Sequence, residues 1–252
     1  MCTLTLIPEA QGYTLTMNRD EFKSRAEAGL RQHREGSVEA SFPVDGVAGG
    51  TWVGVNDRGV SLALLNRYQA PSITDAKSRG NIIKNAIFKK SANDILAFLK
   101  ALDVRSYNPF NLIMIDNHSV YQFHWDREEY RWDSRLLHQP MMFTSSSERF
   151  EQVSAYRQAR FTKCLAERTA SRNIEQFHLS QQPGRESDSV LMSREKVHTK
   201  SIVRIRVDSY SACLDYFDTE SIFDNRVSLQ SATHSNLLTL KAEAAVLADC
   251  AC

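Results

Sequence analysis

The chain has 252 residues, with 31 Lys and Arg against 30 Asp and Glu, so its formal charge of +1 lacks the basic footprint of a dedicated nucleic-acid binder. Hydrophobic residues at 42% and charged residues at 24% sit near globular averages and exclude a wholly disordered, collagenous or coiled-coil chain. No apolar run approaches the ~18 residues that span a bilayer, so a soluble protein without stable membrane insertion is expected.

The opening, Met1-Cys2-Thr3-Leu4, has neither the basic stretch nor the apolar run of a secretory signal, and a cytoplasmic chain with reduced thiols is expected. Cys2 to Ile7 and Tyr13 to Asn18 are β-like runs parted by Pro8, Glu9, Ala10, Gln11 and Gly12, which predicts a hairpin. Glu21 to Pro43 is polar and lacks a clear period. Ala48-Gly49-Gly50 leads into a second hairpin, Thr51 to Val55 and Val60 to Asn66, turning at Asn56-Asp57-Arg58-Gly59. Ile82, Ile83, Ala86 and Ile87 share one helix face, and Ile95, Phe98, Leu99 and Leu102 another, with Ser91 to Asp94 as break and cap between them. Phe110 to Asp116, Val120 to Trp125, Tyr130 to Asp133 and Met141 to Thr144 read as a second group of strands. Ser145-Ser146-Ser147-Glu148 has the form of a capping box ahead of a helical stripe of Phe150, Val153, Phe161, Cys164 and Leu165. A short helix over Asn173 to Leu179, a loop over Gln181 to Asp188 and a strand pair, Thr199 to Val207 with Ser211 to Phe217, follow. No repeat or linker interrupts this order. Residues 1–252 are therefore read as one α+β domain of mainly antiparallel sheets covered by helices, ending in a flexible tail at Cys250 and Cys252.

Five cysteines without Cys-x-x-Cys spacing favour neither a disulfide framework nor a zinc site, and His118 with His124 is too common a spacing to indicate a metal centre. Cys2 stands apart because of its position. Removal of Met1, expected before so small a residue, places a thiol and a free α-amine on one residue. An α-amine titrating at about 7.7 to 8.0 is a fitting base for a thiol near 8.5. Cys2 is thus either a nucleophile with its own base or a small apolar residue packed at a strand start.

The first hairpin brings the segment Asn18-Arg19-Asp20-Glu21 opposite Cys2, because antiparallel pairing keeps the sum of indices roughly constant. Arg19 is then placed to lower the thiol pKa and Asp20 to orient amine or substrate; otherwise the segment is a solvated charge cluster. Asn66, at a strand end, is the candidate oxyanion donor or else a strand-end cap. Asn18 and Trp52 are the candidate substrate contacts. Gly46, Gly49, Gly50 and Gly54 match no nucleotide-binding spacing. His198, Lys200, Arg204 and Arg206 share a strand face that is either solvated or a cradle for a carboxylate-bearing ligand.

Met1-Cys2-Thr3, Asn18-Arg19-Asp20-Glu21 and Gly49-Gly50-Thr51-Trp52-Val53-Gly54-Val55-Asn56, continuing to Leu65-Asn66, resemble the NRDE family, also called the transport and Golgi organisation family. Thr144-Ser145-Ser146-Ser147 and Met192-Ser193-Arg194, with Thr199 and Ser201, resemble its bacterial branch. The family is similar to N-terminal-nucleophile hydrolases, which implies a four-layer αββα sandwich of two antiparallel sheets between helical layers. Similar penicillin and bile-salt amidases carry a nucleophilic cysteine, an arginine and aspartate after the first hairpin, and an oxyanion asparagine; Cys2, Arg19, Asp20 and Asn66 are the matching positions. A second asparagine of those amidases would fall near Ser145 or Ser146, and their late arginine finds no match. The resemblance implies a hydrolase acting on a small amide or acyl compound and needing no cofactor. It implies as an alternative a non-enzymatic carrier in haem trafficking, with His124, His138, His198, Met141 or Cys2 as candidate axial ligands. The partner expected in either case is a small molecule, and no pattern specifies an oligomeric state.

Overall fold

Alternation along the first two strands sets the layers. In β1 (Cys2–Glu9), Cys2, Leu4 and Leu6 face one side, while Thr3 and Thr5 face the other. In β2 (Gly12–Phe22), Tyr13, Leu15 and Met17 join the first side, while Thr16, Asn18 and Asp20 take the second. A strand whose two faces are both buried lies in a middle layer. The computed structural model describes residues 1–117, 119–166, 170–218, 229 and 232–241; the expected tail with Cys250 and Cys252, and His118, lie outside them.

Among the described residues, one antiparallel sheet has the order β10-β1-β2-β11-β12-β13, adding β10 (Met141–Ser145), β11 (Val197–Val207), β12 (Ser211–Asp218) and β13 (His234–Thr239). The second runs in chain order through β3 (Glu27–Glu35), β4 (Val38–Asp45), β5 (Val53–Asn56), β6 (Ser61–Asn66), β7 (Phe110–Asp116), β8 (Ser119–Trp125) and β9 (Tyr130–Leu136). The core between the sheets packs Leu4, Leu6, Leu15 and Met17 from the first against Val53, Val55, Ala63, Leu65, Ile113 and Ile115 from the second. Helices α1 (Gly80–Ala86) and α2 (Ala92–Lys100) cover the outer face of the second sheet, where Ile82, Ile83, Ile95 and Leu99 meet Leu62, Leu112 and Phe123. Helices α3 (Phe150–Ala166) and α4 (Ala170–His178) cover the first sheet, with Phe161, Cys164 and Phe177 packed near Ile7 and Met142. The expected four-layer αββα sandwich is the observed one.

Three elements differ from the sequence reading. The stretch Glu21 to Pro43, polar and without a clear period, completes β2 and builds the hairpin β3–β4. β3 is an edge strand with Arg31 to Glu35 exposed, so no buried face imposes a period of two on it. β13 lies beyond every strand the patterning picked out. The capping box at Ser145 is also absent, because Ser145 ends β10 and its hydroxyl accepts from the Cys2 amide at 3.1 Å, while α3 starts at Phe150. Among the described residues no helix is long and apolar enough to cross a membrane.

Candidate functional site

Antiparallel order gathers one end of both sheets. The starts of β1 and β5 lie beside the ends of β2, β4, β6 and β10, and α1 enters over the same end. There a cavity of about 440 Å³ opens, walled by Cys2, Arg19, Asp20, Trp52, Asn66 and Arg79 among others. The residues expected to act together therefore do meet, with one exception given below.

Cys2 sits between two strands, paired with Arg19 of β2 and with Ser145 of β10. Direct cross-strand partners hold their Cβ atoms about 5 Å apart on one face, so Arg19 and the thiol share the inter-sheet side. Met1 precedes Cys2 and is buried. Its ammonium donates to the Asp20 carbonyl at 2.8 Å and to the Tyr68 hydroxyl at 3.1 Å. Its carbonyl accepts from the Asp20 N–H at 2.8 Å, and its sulfur accepts from the Ser146 and Ser147 hydroxyls at 3.5 and 3.4 Å. Burial works against that ammonium, but Tyr68, Cys2 and Asp20 together hold its pKa above the ordinary value. Burial pushes the Cys2 thiol up, against the opposing pull of the ammonium and Arg19. With Met1 in place the Cys2 nitrogen is an amide and the thiol is protonated.

Arg19 is held rigidly. Its guanidinium pairs with Glu27 of β3 and with Asp45 of β4, and lies 4.2 Å from the centre of the Trp52 ring. Asp45 also takes Arg25 at 2.7 Å and the Ala48 N–H at 2.7 Å. Burial opposes ionisation of Asp45, yet these donors hold its carboxyl below the usual range. Asp20 points the opposite way, toward α3: Oδ1 accepts from the Thr199 hydroxyl at 2.7 Å, and Oδ2 faces Arg157 at 3.7 Å without a hydrogen-bond partner. What Asp20 presents to Met1 is its backbone. Trp52 is buried, and its indole N–H has no partner. The Asn66 amide donates to the Tyr68 hydroxyl at 3.0 Å.

Asn18 is the exception. Its Nδ2 donates to the carbonyls of His178 and Val190 at 2.9 and 3.0 Å, and its Oδ1 meets His178 Nδ1 at 2.6 Å on the helical side of the sheet. It does not line the cavity, and its polar atoms brace α4 and the Val190 segment against β2. Of the candidate haem ligands, Cys2 alone lines the cavity among the described residues. Arg204 and Arg206 form no carboxylate cradle either, since Asp215 pairs with both at 2.9 Å and Glu175 pairs with Arg204 as well.

Arg157 escaped the sequence reading. Fully buried in α3, it donates to Thr3 Oγ1 at 2.7 Å, Thr144 Oγ1 at 3.0 Å and the Ser189 carbonyl at 2.8 Å, and faces Asp20. The signal was there: Val153, Arg157, Phe161 and Cys164 follow one another at the spacing of a single buried stripe. Tyr68 and Arg79 were also missed, because nothing local marks them.

Over residues 1–221 the chain matches the family profile described as Transport and Golgi organisation 2. It is 35% identical over 106 residues to the Transport and Golgi organization 2 homolog of Mus musculus and 34% identical over 106 residues to that of Homo sapiens. Each match takes in 40% of this chain and spans 38% of the relative's length. Among solved structures it is similar to the Caenorhabditis elegans ortholog of N-acylethanolamine-hydrolyzing acid amidase, with TM-score 0.55, 11% identity, and 81% of this chain and 92% of that one covered. It is also similar to a variant of the conjugated bile acid hydrolase of Clostridium perfringens, with TM-score 0.50, 12% identity and coverage of 96% and 97%. The shared fold is that of N-terminal-nucleophile hydrolases. With the profile running through both sheets and all the elements around the cavity, the chain belongs to the Transport and Golgi organisation 2 family.

Proposed function

We propose that the chain, once Met1 is removed, is a cysteine N-terminal-nucleophile hydrolase of a small amide or related acyl compound. The observation that carries this reading is the register of Cys2 against Arg19 at the wall of a cavity large enough for a small substrate. Loss of Met1 turns the Cys2 nitrogen into an amine beside its own thiol. That amine takes the thiol proton, and the sulfur attacks the substrate carbonyl carbon. The carbon–nitrogen bond then breaks, with the proton passing to the leaving amine. Water attacks the resulting thioester, releasing the acid and returning the proton to sulfur. The Asn66 amide is the side-chain donor for the oxyanion, joined by the Asp20 N–H that Met1 now occupies. Arg19 is fixed beside the sulfur by its carboxylates, the Ser145 hydroxyl holds the Cys2 nitrogen, removal of Met1 frees the Asp20 carbonyl and N–H, and Trp52 walls the substrate. The fold relatives are named as an acid amidase and a hydrolase, the same class of chemistry.

The test is p-nitrophenyl acetate with purified protein of verified intact mass. The expected result is a chain lacking Met1, a burst of about one equivalent of nitrophenolate and an acetyl group on Cys2, all lost in Cys2→Ala. Retention of Met1, or a burst undiminished in Cys2→Ala, overturns the proposal.

A further inference from the structure

The cavity holds more positive charge than its own acids use. Arg19 and Arg25 are spent on Glu21, Glu27 and Asp45. Across from them, the segment leading into α1 contributes Lys77 and Arg79 to the wall. Among the described residues neither enters an ion pair. Arg79 is half-buried, and its hydrogen bond through Nη1 to the Pro109 carbonyl at 2.8 Å engages one nitrogen of the fork. Its guanidinium lies within electrostatic reach of Cys2, Tyr68 and Glu21. Burial draws its pKa down, which is the cost of holding a cation there without a counter-ion.

A guanidinium held that way, with donors left over and a nucleophile across the cavity, matches the planar, two-pronged geometry of an oxyacid anion. We infer that Arg79, with Lys77 at the rim, binds an anionic group of the substrate, a carboxylate or a phosphate, while the carbonyl to be attacked faces Cys2. This rests on the hydrolase reading and adds the substrate class to it. It also separates the two arginines. Arg19 is neutralised by fixed carboxylates and serves the nucleophile, whereas Arg79 waits for charge brought by the ligand.

Iodoacetate and iodoacetamide, alkylating agents of similar size that differ by one carboxylate, test the inference on the full chain lacking Met1. At Cys2 the rate ratio of the anionic to the neutral reagent is expected to exceed that at Cys213 by about tenfold, the worth of one charge-assisted hydrogen-bonded pair. Arg79→Gln brings the two ratios together, and Arg79→Lys keeps part of the difference. An unchanged ratio in Arg79→Gln overturns the inference, including the case in which both reagents slow equally, since that marks an effect on thiol ionisation alone. Melting temperature in propionate or in inorganic phosphate gives a readout free of the thiol. One of the two anions is expected to raise it in the wild type and not in Arg79→Gln, and the effective one tells carboxylate from phosphate. Stabilisation by neither, or equal stabilisation of the variant, overturns the anion site. Failure of Cys2 to react with either reagent counts against the nucleophile instead, and the melting data still decide the role of Arg79.

Discussion

His178 shows how a buried titratable residue can be purely structural. Asn18 commits both amide hydrogens to carbonyls, so its oxygen accepts from His178 Nδ1, and Nε2 accepts from the Thr5 hydroxyl at 2.7 Å. The ring is neutral, and burial pushes its pKa down to about 3. Because the folded value lies below the unfolded one near 6.5, the unfolded chain binds the extra proton, and stability falls as pH falls. Urea denaturation between pH 6.5 and 4.5 should show a loss approaching about 1.4 kcal/mol per pH unit, and His178→Gln should flatten that slope. Arg157 and Asp20 form a buried ion pair in which one partner cannot be removed alone. Arg157→Met leaves Asp20 charged and unpaired, and is expected to cost about 3 kcal/mol or more in a denaturation midpoint series. Cys2 differs from both, for its state depends on its neighbour. With Met1 attached, burial holds the thiol protonated; a chain bearing a noncleavable N-terminal extension is therefore expected to label at Cys2 with iodoacetamide at least about tenfold more slowly than the processed chain.

Among the elements, the seam between α1 and the loop entering β5 is the tightest contact beside the cavity. A Cβ on Gly80 would lie 2.7 Å from the Thr51 nitrogen and 2.8 Å from its oxygen, and one on Gly50 would lie 2.9 Å from the Gly80 Cα. Both obstructions are backbone, so neither can swing aside. Gly80→Ala should cost about 1–3 kcal/mol and move Trp52 and Arg79 apart, read as a drop in melting temperature with lower Cys2 reactivity. β7 was legible as a short continuous apolar run, because both of its faces are buried, and β8 as a run of β-favouring residues after it. Helix α2 was legible because Ser91 caps it, accepting from the Asp94 N–H at 3.1 Å. β3 was not, since an edge strand that faces water carries no apolar period. Ser145 misled because its hydroxyl suits a helix start equally well and is taken by Cys2 instead.

For the whole molecule, the part of the site within one hairpin could be read ahead: pairing around a turn puts Arg19 across from Cys2 whatever the rest of the chain does. Asp45 and Arg79 reach the cavity only because two sheets stack with the same ends together, a fact set by packing between layers and by no local spacing. Alternation along β2 sorts the charge run by face, sending the Arg19 side chain to the cavity and those of Asp20 and Asn18 toward the helices. The most direct measurement is residue-resolved iodoacetamide labelling at neutral pH on purified full chain, with its N-terminus read from the same peptides. A free Cys2 amino terminus and labelling of Cys2 well ahead of Cys164 and Cys213 is the predicted result. Met1 still attached, or Cys2 labelled no faster than those two thiols, would contradict it.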